Sequence, residues 1–111
     1  MIKVRINRLA TGRIASFSMS GHAESGPYGH DLVCAGASAV SIGAVNAVQV
    51  LCQTELIVEM EDDGGYLSCT VPDSLTEAQH RDVQLLLEGM VLSLKSMEEE
   101  YEAFISITDR R

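Results

Sequence analysis

The chain has 111 residues and a net charge of −8, from 16 acidic and 8 basic side chains. Apolar residues make up 46% of it, enough for a core without disulfide or metal staples; with 5% aromatics and no tryptophan, that core is built from Val, Ile, Leu, Met and Ala. The acidity repels phosphate backbones and anionic lipid, which argues against direct nucleic-acid or membrane binding and suits a basic protein partner. The opening MIKVRINRLA has no signal-peptide pattern. The richest apolar run, Cys34 to Cys52, is broken by Ser38, Ser41, Gly43, Asn46 and Gln49, so no membrane span is expected. Three widely spaced cysteines without a C-x-x-C pair point to reduced thiols and a cytoplasmic location.

Ile2, Val4 and Ile6 alternate with Lys3, Arg5 and Asn7, the period of a half-buried strand. Gly12 supplies a turn, and Ala15, Phe17 and Met19 then alternate with serines as a hairpin partner that ends at Gly21. From Asp31 the period becomes helical, with Val33, Ala37, Val40, Ala44, Val48 and Leu51 as the apolar stripe. Gly36 and Gly43 weaken that helix, which close approach of the sheet or of a second subunit would offset.

Leu56, Val58 and Met60 read as a third strand. The acidic turn EDDGG leads to Leu67, Cys69 and Val71 as a fourth. Pro72 stops it, and Ser74 with Glu77 matches the capping-box pattern that opens a second helix. Val83, Leu86, Leu87, Met90, Val91, Leu94 and Met97 form that helix's core face; Glu98 to Glu100 are its solvated end, and His80 is a surface residue. Ala103, Ile105 and Ile107 alternate as a last strand before a basic tail, DRR. The order β-β-α-β-β-α-β, without repeat or linker, predicts one α+β domain over residues 1–111. Its expected form is a single, largely antiparallel sheet with two helices packed on it.

The reactive residue types gather in GHAESGPYGHDLVC, residues 21 to 34. Phosphate-cradle, zinc-finger, H-E-x-x-H and G-x-S-x-G patterns are all missing, so no cofactor or metal is expected. A cysteine nucleophile does fit. With Asp31 as helix cap, Cys34 falls in the first turn, where backbone N–H groups and the positive dipole end favour a thiolate and an oxyanion. His22, at a strand end, and His30, beside the cap, are candidates for the base, with His22 favoured because the loop carrying His30 is more exposed. Asp31 either caps the helix or orients His22. The glycine-containing stretch between the histidines is either a lid or an ordinary connection, and a small buried cysteine without chemistry is the structural alternative for Cys34. Cys52 and Cys69 read as core.

GHA at 21–23, with GHDLVCA at 29–35 and Ser38 beyond, closely resembles the signature of the ribosomal-processing cysteine protease family, over almost the whole chain. Gly36 and Leu32 depart from the usual alanine and isoleucine without removing a chemical group. The resemblance implies a cysteine endopeptidase that removes the N-terminal extension of a basic large-subunit ribosomal protein. It makes Cys34 the nucleophile and His22 the general acid/base, with Gly21, Asp31 and Ser38 shaping the substrate site. It also implies a homodimer of α+β fold. An edge strand beside the site is expected to bind the peptide by β-augmentation. The competing reading is a non-catalytic acidic module that associates with the ribosome by binding a basic protein.

Overall fold

The computed structural model describes residues 1–23, 31–61 and 65–110. His30 with the rest of its loop, the tip of the acidic turn and Arg111 lie outside the described residues. The elements run β1 (Ile2–Arg8), β2 (Ile14–Ser20), α1 (Leu32–Cys52), β3 (Ile57–Met60), β4 (Tyr66–Thr70), α2 (Glu77–Glu100) and β5 (Ile105–Arg110). The strands form one sheet in the order β3-β4-β2-β1-β5. Three pairings are antiparallel, and only β5 lies parallel to β1. The expected α+β architecture with a largely antiparallel sheet is the one observed.

Alternation decides which face is covered. Ile2, Val4, Ile6, Phe17, Met19, Leu67, Cys69 and Ile105 are buried beneath the helices, while Lys3, Arg5 and Ser20 face out. A register shift between Asn7 and Arg8 changes the parity of the hairpin, so Ile14 is buried in addition to Phe17. In α1 the buried stripe is Val33, Ala37, Ser41, Val48 and Cys52. Ser41, read above as an interruption, belongs to it because its hydroxyl donates to Ala37 O at 2.8 Å. Leu51, expected inside, is 71% exposed, and Cys52 takes the inward position before Gln53 ends the helix in left-handed backbone.

Helix α1 is, against expectation, long and apolar enough to cross a membrane, with 21 residues and mean hydropathy 1.5. In this fold it packs as a layer on the sheet. Gly36 lies against Met97 near the far end of α2, with the Met97 methyl 3.1 Å from where a Cβ would sit. The close neighbour is thus a side chain of α2, in place of the expected sheet or second subunit. Around Gly43, among the described residues, no atom lies within 4 Å of a Cβ position, so the same reason does not apply there.

Four further expectations change. Helix α2 is opened by Thr76, not Ser74: Thr76 Oγ1 accepts from Gln79 N and Gln79 Oε1 accepts from Thr76 N, both at 3.1 Å. Glu98 is not merely solvated, since its Oε2 accepts from Ile107 N at 2.7 Å. Asp109 is no tail residue: its side chain is 8% exposed and pairs with Arg8 at 2.7 Å and Lys95 at 3.1 Å. Arg8, with a side chain 1% exposed, also binds Glu88 at 2.7 Å, so β1, β5 and α2 share one ion-pair network. That pairing holds the Asp109 carboxyl down at about 2. His80 is half-buried, not a surface residue, and its Nδ1 is enclosed with no hydrogen-bond partner among the described residues.

Candidate active site

The sheet end where β2 stops faces the N-terminus of α1. Gly21 is fixed there by two constraints. Its φ is +85°, and a Cβ would run into the Met1 carbonyl oxygen of the neighbouring strand. Its N–H donates to Gly65 O at 2.9 Å, which ties the end of β2 to the approach to β4. The chain therefore leaves β2 along one defined path, through His22 to Ala23.

Ala23 is buried, and its backbone N–H points at Cys34 Sγ, 3.2 Å away. This is the contact that joins the two halves of the motif. His22 is the exposed residue between Gly21 and Ala23. Sequence reasoning passed over Ala23 because it considered side chains only. Its place directly after the histidine was the available signal.

On the helix side, Asp31 is the N-cap, with extended backbone (φ −82°, ψ 97°), and its Oδ1 accepts from Cys34 N at 3.0 Å. Ala35 N donates to Asp31 O at 3.0 Å and starts the helical ladder. Asp31 thus caps, and Cys34 is the third residue of α1, as the spacing predicts. Its own N–H is engaged by the cap and so is not one of the donors left over for an oxyanion.

The sulfur is half-buried, and its thiol is pushed above the ordinary value. Burial is the largest cause; the Ala23 N–H opposes it, and the Asp31 carboxylate adds to it. The helix terminus alone therefore does not produce a resting thiolate. For Cys34 to act as a nucleophile a group must take up that proton, and His22 is the exposed residue directly before the sulfur's donor, Ala23.

A cavity of about 80 Å³ opens beside the sulfur. Cys34, Ser38, Ser41 and Ile42 of α1 form one wall; Gly21, Met19, Leu67 and Met60 are among those on the sheet side. Gly21, Cys34 and Ser38 are thus brought to one cavity, with Asp31 supporting it from the cap. Among the described residues, no group of three or more His, Cys, Asp or Glu side chains could hold a metal ion. All three cysteines are free, and Cys52 and Cys69 are buried away from this cavity as core residues.

Residues 1–106 match the family model described as cysteine protease Prp. The chain is 44% identical to the ribosomal processing cysteine protease Prp of Bacillus subtilis (strain 168) over 108 residues, covering 97% of this chain and 96% of that one. It resembles the crystal structure of an essential ribosomal processing protease Prp from S. aureus in complex with a covalently linked product peptide. The TM-score is 0.90 and the identity 38%, over 99% of this chain and 100% of that one. A second structure of the S. aureus protease, in complex with a substrate peptide, gives a TM-score of 0.85 at 37% identity, over 99% and 100% of the two chains.

Proposed function

The chain belongs to the Prp family of cysteine proteases, and from that premise we propose that Cys34 is its nucleophile and His22 its general acid/base. The observation that carries the assignment is the Ala23 N–H aimed at Cys34 Sγ, which couples the histidine's strand end to the cysteine's helix turn. In the reaction the imidazole takes the thiol proton, and the thiolate attacks the scissile carbonyl carbon. The tetrahedral intermediate collapses to a thioester as His22 returns the proton to the leaving amine. Water activated by the same imidazole then releases the acid and restores the thiol. Because burial and Asp31 hold the thiol proton on, the base is essential rather than auxiliary.

The substrate is the N-terminal extension of a basic large-subunit ribosomal protein. The family's ribosomal processing role supports this, as does the net charge of −8, which attracts a cationic chain. Gly21 and Ser38 shape the bound peptide's surroundings through the cavity they share with Cys34, and Asp31 fixes the helix turn that presents the sulfur. The peptide docks beside β3, which is an edge strand with one side of its backbone unpaired by any strand among the described residues. The protein acts as a homodimer in the cytoplasm. Three free thiols fit a reducing compartment, and Leu85 and Leu92, exposed one above the other on α2, offer a self-association surface.

The test is incubation with peptides spanning N-termini of ribosomal proteins, with products read by mass spectrometry. Wild type is expected to cut one extension at a single bond. Cys34→Ala is expected to lower the rate by ~10⁴-fold or more with an unchanged circular dichroism spectrum. Full activity in Cys34→Ala would end the assignment.

A further inference from the structure

The first turn of α1 is held from two directions. Along the helix, Asp31 binds the Cys34 N–H. Across it, α2 reaches Gly36, two residues after Cys34: the Met97 methyl lies 3.1 Å and the Met97 sulfur 3.9 Å from where a Cβ would sit. A helix interior disfavours glycine relative to alanine, so this contact is what the position gains in return. Around Gly43 and Gly89, in the same two helices, no atom of the described residues comes within 4 Å of a Cβ position. The backbone of Met97 is tied onward. Met97 O accepts from Tyr101 N, Tyr101 O from Phe104 N and Phe104 O from Ile2 N, each at 2.8 Å. The carbonyl just before Ile2, on Met1, is the one that abuts Gly21, the residue before His22. A chain of bonds and contacts therefore runs from the cysteine's turn, through the end of α2, to the histidine's strand end.

We infer that Met97 is a positioning residue: its methyl, seated against Gly36, holds the first turn of α1 so that Cys34 keeps its distance from the strand end that carries His22. The inference rests on the protease reading above and adds to it a residue of α2 that does not line the Cys34 cavity. Methionine suits the task, because its unbranched, flexible side chain follows an irregular surface into the gap that a missing Cβ leaves. The turn cannot move toward α2 without compressing this contact, nor away from it without opening a void. Either displacement changes the 3.2 Å separation between Ala23 N and Cys34 Sγ. A misplacement on the order of 1 Å at a reacting atom costs up to about 100-fold in rate. The Ala23 N–H also opposes the upward push on the thiol. A turn that drifts from β2 loses that bond, and its thiol titrates at higher pH.

The experiment compares wild type, Met97→Ala, Met97→Leu and Thr76→Ala in cleavage kinetics, in Cys34 alkylation by iodoacetamide across pH, and in melting temperature. Met97→Leu keeps the side-chain volume and sets its methyls at the level of the sulfur, still in contact range of Gly36. Thr76→Ala weakens the opposite end of α2 and reports what lost stability does by itself. Met97→Ala is expected to lower kcat by about tenfold with KM unchanged, and to move the midpoint of alkylation to higher pH. Met97→Leu is expected to stay within about twofold of wild type, and Thr76→Ala to melt lower with neither kinetic change. The same turn is approached from the other side with Gly36→Val, which overfills the contact and is expected to lower kcat, with recovery when Met97→Ala is added to it. Wild-type kcat and alkylation midpoint in Met97→Ala, or in Gly36→Val should Met97→Ala not fold, overturn the inference and leave the protease reading standing. Absence of cleavage by wild type overturns the protease reading, and the alkylation midpoints then still decide whether Met97 holds Cys34.

Discussion

The two helices of this protein begin in different ways, and the difference separates holding a fold from doing chemistry. At the start of α2, Thr76 and Gln79 bond reciprocally, so the cap and the third residue each satisfy a backbone donor of the other. At the start of α1 the cap is Asp31 and the third residue is Cys34. The cap still accepts from the third residue's N–H, at 3.0 Å, but a thiol on so short a side chain does not return the bond. Its sulfur is turned instead toward β2, where Ala23 N–H donates to it. One terminus closes on itself. The other uses half the same device and leaves its third side chain directed at a cavity.

Converting one terminus into the other gives the largest effect. Cys34→Gln places a capping-box residue three positions after Asp31 and removes the thiol. Peptide cleavage is expected to fall by ~10⁴-fold or more, while thermal stability stays level or rises slightly, because a reciprocal bond at the cap is stabilising. Cleavage kinetics with a melting curve on the same sample checks both halves. A variant that melts far below wild type would show that the sulfur is structural and that the contrast between the two termini has been misread.

The sequence alone carried this contrast only in part. The Asp31 cap and the position of Cys34 in the first turn were legible because capping chemistry is local, spanning three residues. The start of α2 was not, because Ser74 with Glu77 and Thr76 with Gln79 both satisfy the same pattern. Leu75, partly buried against the core, and the chain's path from β4 decide for the second. Alternation located the inward residues of β1 and most of those of the other strands, but the register shift after Asn7 puts Ile14 inside in place of Ala15, Ala103 lies exposed before β5 begins, and alternation cannot say how far the helix layer extends. The exposure of Val58 and Met60 was therefore not legible in it. The Ala23 donor escaped for another reason, since a backbone N–H has no signature in residue type. The same limit hid the buried role of Asp109, whose partner Arg8 is about a hundred residues away in the chain.

A smaller effect isolates the electrostatic half of the comparison. Asp31→Asn keeps an equally good cap and removes the charge. The Asp31 carboxylate holds the Cys34 thiol proton on, second to burial among the causes that raise it. Neutralising it moves the thiol's titration to lower pH, so more thiolate is present at any pH below the midpoint. Iodoacetamide alkylation at pH 7 is expected to quicken by several-fold, below about tenfold because a less basic thiolate is also a poorer nucleophile. The rate profile against pH shifts toward acid while melting temperature stays within a degree or two. An unshifted profile would mean that the Asp31 charge is screened from the sulfur and that burial alone sets the thiol.

The smallest effect tests the closed terminus. Thr76→Ala removes the hydroxyl that accepts from Gln79 N and frees the Gln79 side chain, costing about 1 kcal/mol of stability. For a chain of this size that is a drop of roughly 4–8 °C in melting temperature. Thr76 lies at the end of α2 far from Met97, which is the part of that helix in reach of Gly36 and the turn bearing Cys34. Cleavage kinetics and Cys34 alkylation below the melting transition are accordingly expected to match wild type. If kcat fell with stability intact, the two helix termini would be coupled through the α1–α2 packing. The division between a terminus that holds the fold and one that does chemistry would then not apply to this protein.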